Sequence, residues 1–141
     1  MATWQFDLFL TPKGSEHGLD IPTLPARSAL HAQENLVKCL GQPWLMLEDW
    51  IVYGVENGTR VDFHFDDTGG VEVIVRLDAS ANNSAVVDAI CALALDLECR
   101  YFDAQEKQFI DALPQAILQA LVDSKAAKFV GNPRDFIHDI D

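Results

Sequence analysis

Hydrophobic and polar positions alternate most cleanly over residues 61–78, VDFHFDDTGGVEVIVRLD. Val61, Phe63 and Phe65 point one way, and Asp62, His64 and Asp66 point the other; Val71, Val73 and Val75 resume the pattern after the glycines. A period of two over runs this short predicts half-buried strands, here about 59–66 and 71–77. A three-residue loop, Asp67-Thr68-Gly69, pairs Phe65 with Val71, Phe63 with Val73 and Val61 with Val75, so all six share one face. A two-residue loop at Thr68-Gly69 would set Phe65 against Glu72 and send an acid inward. Gly69 supplies the left-handed residue that closes such a loop. An earlier strand spans 50–56, and Asn57-Gly58 predicts a two-residue type I′ turn, because both residues tolerate positive φ. That turn sets Tyr53 opposite Asp62, Ile51 opposite His64 and Val55 opposite Arg60.

Elsewhere the pattern changes period. Residues 4–10, WQFDLFL, alternate as a strand, and TPKGSEHGLDIP then breaks the pattern as a loop. Pro25 can open a helix whose stripe includes Ala26, Ala29, Leu30, Gln33, Val37 and Leu40, with Gly41 as its stop. Residues 84–97 are apolar nearly all round, interrupted only by Asp88 and Asp96, which predicts a helix buried on most sides. A short strand follows near 98–102. A third helix starts at Pro114 and turns Ile117, Leu118, Leu121 and Val122 toward the core. The tail GNPRDFIHDID has room for one more helical turn, with Phe136 and Ile137 tucked back.

The order β-α-β-β-β-α-β-α predicts a single α+β domain over residues 1–141. Its expected architecture is an antiparallel sheet of four to five strands, with a central meander over 50–77 and three helices mainly on one face. An open ferredoxin-like layout with an added strand is the nearest familiar arrangement. At 141 residues the chain can bury a core without metal or disulfide support. Twenty-two acids against ten bases give a net charge of −12, spread along the chain. Phosphate backbones need clustered Lys and Arg, so nucleic acid and anionic membranes are not expected partners.

The N-terminal stretch lacks the basic start of a secretory signal, and the longest apolar run, AICALAL, is too short for a membrane span. Cys39, Cys91 and Cys99 are odd in number and lack zinc or CxxC spacing, which fits reduced packing cysteines in a cytoplasmic protein.

Chemistry is sparse. Asp62, His64 and Asp66 flank one another on a strand face, but same-face neighbours lie about 6.5–7 Å apart, too far to converge on an ion unaided. No metal and no cofactor are expected, and no catalytic residue is assigned. The run HFDDT is similar to the Asp-x-Asp-x-Thr of haloacid-dehalogenase phosphatases, yet His64 stands where the nucleophilic Asp belongs. The resemblance fails there. No phosphate-binding glycine loop, nucleophile elbow or HExxH is present.

These absences and the acidic charge point to a non-catalytic protein-binding module docking onto a basic protein partner. Small acidic α+β bacterial proteins of this size often act as inhibitors or toxin-neutralising immunity proteins. The alternatives are a homodimeric structural or accessory protein, or an enzyme with no recognisable motif. The expected partner-binding face combines apolar anchors with charge: Ile51, Tyr53, Val55, Asp62, His64, Glu72 and Ile74.

Overall fold

The computed structural model describes residues 4–14 and 23–131. In chain order it contains β1 (Gln5–Pro12), β2 (Leu24–Pro25), α1 (Ser28–Leu40), β3 (Trp44–Leu47), β4 (Trp50–Gly54), β5 (Arg60–Phe65) and β6 (Gly70–Asp78). It continues with α2 (Ser84–Asp96), β7 (Cys99–Asp103), β8 (Gln108–Ile110), α3 (Pro114–Asp123) and α4 (Lys125–Gly131). The proposed helical turn in the tail, with Phe136 and Ile137, lies outside the described residues.

All eight strands belong to one sheet; seven follow the order β3-β4-β5-β6-β1-β7-β8, and every pairing is antiparallel. The short β2 pairs with the start of β6, on the edge whose other half is taken by β1. The expected four- or five-strand ferredoxin-like sheet with three helices is therefore wrong: the described residues form eight strands and four helices. After α1 the chain does not return beside β1. It lays down a four-strand meander from the sheet's far edge inward, and only β6 docks against β1. Then α2 carries the chain across β1, so that β7 pairs on its other side. Three strands escaped the sequence pattern: β2, β3 and β8 span two, four and three residues, too short to display a period.

One parity of side chains on each strand meets the helices. Phe6, Leu8, Leu10, Tyr53, Val61, Phe63, Val73, Val75, Leu77 and Tyr101 join Leu36, Ile90, Leu93 and Ile117 in a single core cluster. Central to it, α2 contributes Val86, Val87, Ile90, Cys91, Leu93 and Ala94 and packs against α1, α3 and β7. The Tyr101 hydroxyl donates to the Ile90 carbonyl at 2.8 Å, tying β7 to that helix. Burial holds this phenol well above its usual range. Helix α1 starts at Ser28, because Pro25 is used in β2, and it buries Ser28, Ala32 and Leu36. In α3, Ile117 and Leu121 are buried, whereas Val122 is turned outward and exposed, contrary to the expected stripe. Ser124 ends α3 in extended backbone, and its Oγ accepts from Ala127 N–H at 3.1 Å, capping α4.

The β5–β6 register is the one read from the sequence: Phe65 opposes Val71, Phe63 opposes Val73 and Val61 opposes Val75. Asp67-Thr68-Gly69 is the loop, with Gly69 at φ +86°. Asp66 Oδ1 accepts from the Thr68 and Gly70 amides and from the Thr68 hydroxyl, at 2.8–2.9 Å. These donors hold the Asp66 carboxyl below its ordinary value.

Candidate functional site

The face of the sheet away from the helix core is built from the opposite parity, and a register difference of one residue decides its membership. Gly54 pairs with Arg60, Tyr53 with Val61, Val52 with Asp62, Ile51 with Phe63 and Trp50 with His64. The expected type I′ turn is absent. Neither Asn57 nor Gly58 has positive φ; the left-handed residue is Gly54, at φ 109°, and the connection runs over residues 55–59. A one-residue slip moves a whole strand to the other face.

Ile51 and Tyr53 therefore leave the expected partner face and join the helix-side core, where Tyr53 packs edge-on to Phe63 with ring centroids 5.7 Å apart. Tyr53 is only 5% exposed. Val55 sits exposed in the turn, outside β4. Asp62, His64, Glu72 and Ile74 remain together on the opposite face, which is helix-free among the described residues; there Asp62 opposes Ile74 and His64 opposes Glu72.

Three rows cross that face. The first is Leu47, Trp50, His64 and Glu72. The second is Trp44, Val52, Asp62, Ile74, Phe9, Phe102 and Phe109. The third is Gly54, Arg60, Arg76 and Asp7. Asp62 is the polar intruder in an otherwise apolar row, and it is 0% exposed. Its Oδ2 accepts from the Trp50 indole N–H and from Arg60 Nη2, both at 3.0 Å, while Arg60 Nη1 donates to the Glu56 carbonyl. Like charges directly across a sheet repel. Arg60 faces Arg76, and each has its own carboxylate: Asp62 for Arg60, and Asp7 at 3.8 Å for Arg76. Burial lifts the Asp7 carboxyl above 3.8 and outweighs the lowering by Arg76. At the β7–β8 end, the Arg100 guanidinium lies 3.8 Å over the Phe109 ring.

This arrangement offers little to a reaction. Asp62 is sealed from solvent and engaged by two donors. His64 lies 3.6 Å from Asp49 and stacks at a tilt on Trp50, 5.0 Å between centroids. Among the described residues no three His, Cys, Asp or Glu groups converge for a metal. All three cysteines are free. Burial pushes the Cys91 and Cys99 thiols up to about 11, the wrong direction for a nucleophile at neutral pH. Two shallow clefts, of about 270 and 380 Å³, lie beside α1 and are lined mainly by loop and helix-end residues rather than by the three rows. No family model, curated protein or solved structure matches this chain.

Charge is more informative. At the end of the sheet marked by Trp50 and His64, the exposed Glu48, Asp49, Asp66 and Asp67 and the half-buried Glu72 form an acidic rim. The Phe65 amide bonds to the Asp49 carbonyl, which brings the β3–β4 turn against the end of β5. Among the described residues, the bases at this end are His64 and the exposed Arg27, which follows Ala26, itself bonded to Gly69. Arg60 and Arg76 lie toward the opposite end of the strands. Beside the rim, Leu45 and Leu47 of β3 are 65% and 59% exposed. Sequence reasoning missed these leucines because it assigned no strand to WLML. It missed the Arg60–Asp62 pair although the i, i+2 spacing on a strand already placed both on one face. Among the described residues, no helix is long and apolar enough to cross a membrane.

Proposed function

We propose that this protein is a non-catalytic binding module that docks a basic protein partner on the acidic end of its sheet, in the manner of an inhibitor or immunity protein. The observation that carries the reading is the rim of Glu48, Asp49, Asp66, Asp67 and Glu72 set beside solvent-exposed leucines and the half-buried Trp50. Charge of one sign steers encounter, while apolar burial holds the complex once formed. Asp66 supports this, since its hydrogen bonds favour the charged form well into acid. The buried salt bridges of the central rows serve as scaffold in this reading: their groups point at one another, and Asp62 has no exposed surface. A reducing cytoplasmic compartment suits three free thiols.

The test is affinity capture from the native host at about 50 mM and about 500 mM salt, followed by reconstitution with the identified protein. The expected partner is basic, and its complex weakens at least tenfold with salt. It should be lost on Asp49→Lys with Asp67→Lys, with the melting temperature unchanged. A partner that is acidic, or that binds the double variant equally well, refutes the reading.

A further inference from the structure

Resting on that docking surface, we propose that β3 is the receiving edge, and that the partner supplies an extended basic segment which pairs with it as a further strand. Strand β3 closes the sheet: β4 pairs on one flank, and among the described residues no strand pairs on the other. An edge strand presents unpaired N–H and C=O groups that template another strand. Strand addition takes its affinity from those main-chain bonds and its selectivity from alternating side chains.

The side chains of β3 suit this use. Leu45 opposes Ile51, whose side belongs to the helix core, while Leu47 opposes Trp50 on the helix-free face. The bulge between them leaves one exposed leucine on each side of the sheet, so an incoming strand meets an apolar neighbour above and below. The other edge, β8, offers less. Its Ile110 is buried, and Phe109 lies under the Arg100 guanidinium. The shortness and bulge of β3 limit pairing to a few residues, which restrains open-ended self-association.

Charge selects the occupant. No Lys or Arg occurs from Cys39 to Thr59, a stretch that carries Glu48, Asp49 and Glu56. Glu48 and Asp49 form the turn that immediately follows β3. A second copy of this chain would bring another −12 to the contact and be repelled. A segment alternating apolar residues with Lys or Arg would meet leucines along the edge and carboxylates at its end.

The probe is a ten-residue peptide alternating lysine and valine, with two N-methylated versions, each blocking the donors on one edge of the peptide. Binding is read by titration, and the amides of residues 44–47 by hydrogen exchange. The unmodified peptide should bind, slow exchange along β3, and weaken at least tenfold between about 50 and 500 mM salt. One methylated version should bind at least tenfold more weakly, and the other should not. Leu45→Thr with Leu47→Thr, which keeps strand preference while removing apolar surface, should weaken binding with the fold intact. Equal binding by all three peptides would overturn strand pairing and leave the acidic docking surface standing. No binding by any of them would overturn both. Self-association of the unmodified chain, abolished by Leu47→Lys, would make a second copy the occupant and overturn the basic segment.

Discussion

Replacing Asp62 with alanine isolates what the helix-free face demands of the fold. Asp62 and Arg60 are 0% and 5% exposed at their side chains, and they meet at 3.0 Å. Removing the carboxylate leaves a buried guanidinium bonded to the Glu56 carbonyl but stripped of its counter-charge, and leaves the Trp50 indole N–H without its acceptor. Breaking one side of a buried ion pair costs about 3–5 kcal/mol. An orphaned indole donor adds at most about 1–3 kcal/mol, and the two losses overlap because they share one oxygen. We expect a loss of about 4 kcal/mol, a large part of the roughly 5–15 kcal/mol that holds a typical domain. With a urea slope of about 2 kcal/mol per molar, the unfolding midpoint falls by about 2 M. Arg60→Met combined with Asp62→Leu removes both charges and should cost less than Asp62→Ala alone, since a well-packed apolar pair avoids the desolvation penalty. Equilibrium denaturation followed by tryptophan fluorescence reads all three proteins. A loss under about 1 kcal/mol for Asp62→Ala, or a double variant worse than the single one, would refute the claim that this pair is buried and mutually dependent.

Two glycines at positive φ should separate strain from clash. A Cβ at Gly69 meets nothing within 4 Å, so Gly69→Ala costs about 1–2 kcal/mol of backbone strain, whereas at Gly54 it would sit 2.5 Å from the Thr59 carbonyl and Gly54→Ala should cost more by denaturation. The raised Asp7 carboxyl binds its proton more tightly in the folded state, so its contribution to stability is full below 3.8 and declines as pH rises through its folded value. Melting temperatures should therefore show Asp7→Asn gaining on the parent protein above that value and losing the advantage in acid. Asp66 acts oppositely: its stabilisation is present above 3.8 and lost as pH falls through its lowered value, so Asp66→Ala should flatten the acid limb of the same curve. Thiol labelling at pH 8 should modify the half-buried Cys39 first and reach Cys91 and Cys99 only on unfolding; fast labelling of all three would show that α2 and β7 open readily.

Much of the fold was legible where the pattern ran long enough to show its period. Val61 to Leu77 announced a hairpin, and the cost of turning Glu72 inward was enough to choose its register. The apolar girth of residues 84–97 announced a helix buried between others, which α2 is. The sheet's size was not legible. WLML and QFI carry too few residues to distinguish a strand from a loop, and their pairing depends on β4 and β7, which provide the partners. Nor could the sequence order reveal that β1 would stand between β6 and β7, because α2 can cross one strand or none with the same length.

The candidate site failed in the sequence at the 55–59 connection, and the reason is physical. Asn57-Gly58 is a strong local signal for a two-residue turn, but the turn competes with everything that β4 must bury. With β5 held by β6, the observed register sends Ile51 and Tyr53 to the helix core and puts Trp50 where its indole can reach Asp62. The alternative would turn a tyrosine and an isoleucine outward and leave Val52 and Gly54 to fill the core opposite Phe63 and Val61. Burying a large apolar side chain stabilises by about 1.5–3 kcal/mol, more than an ideal two-residue turn returns. Gly54 then takes the positive φ that the sequence assigns to Asn57 and Gly58. Tyr53→Ala should accordingly unfold or strongly destabilise the protein, by about 3–5 kcal/mol, rather than selectively remove a binding anchor. A folded Tyr53→Ala protein with an unchanged midpoint would place that side chain on the other face of the sheet and reverse the β4–β5 register.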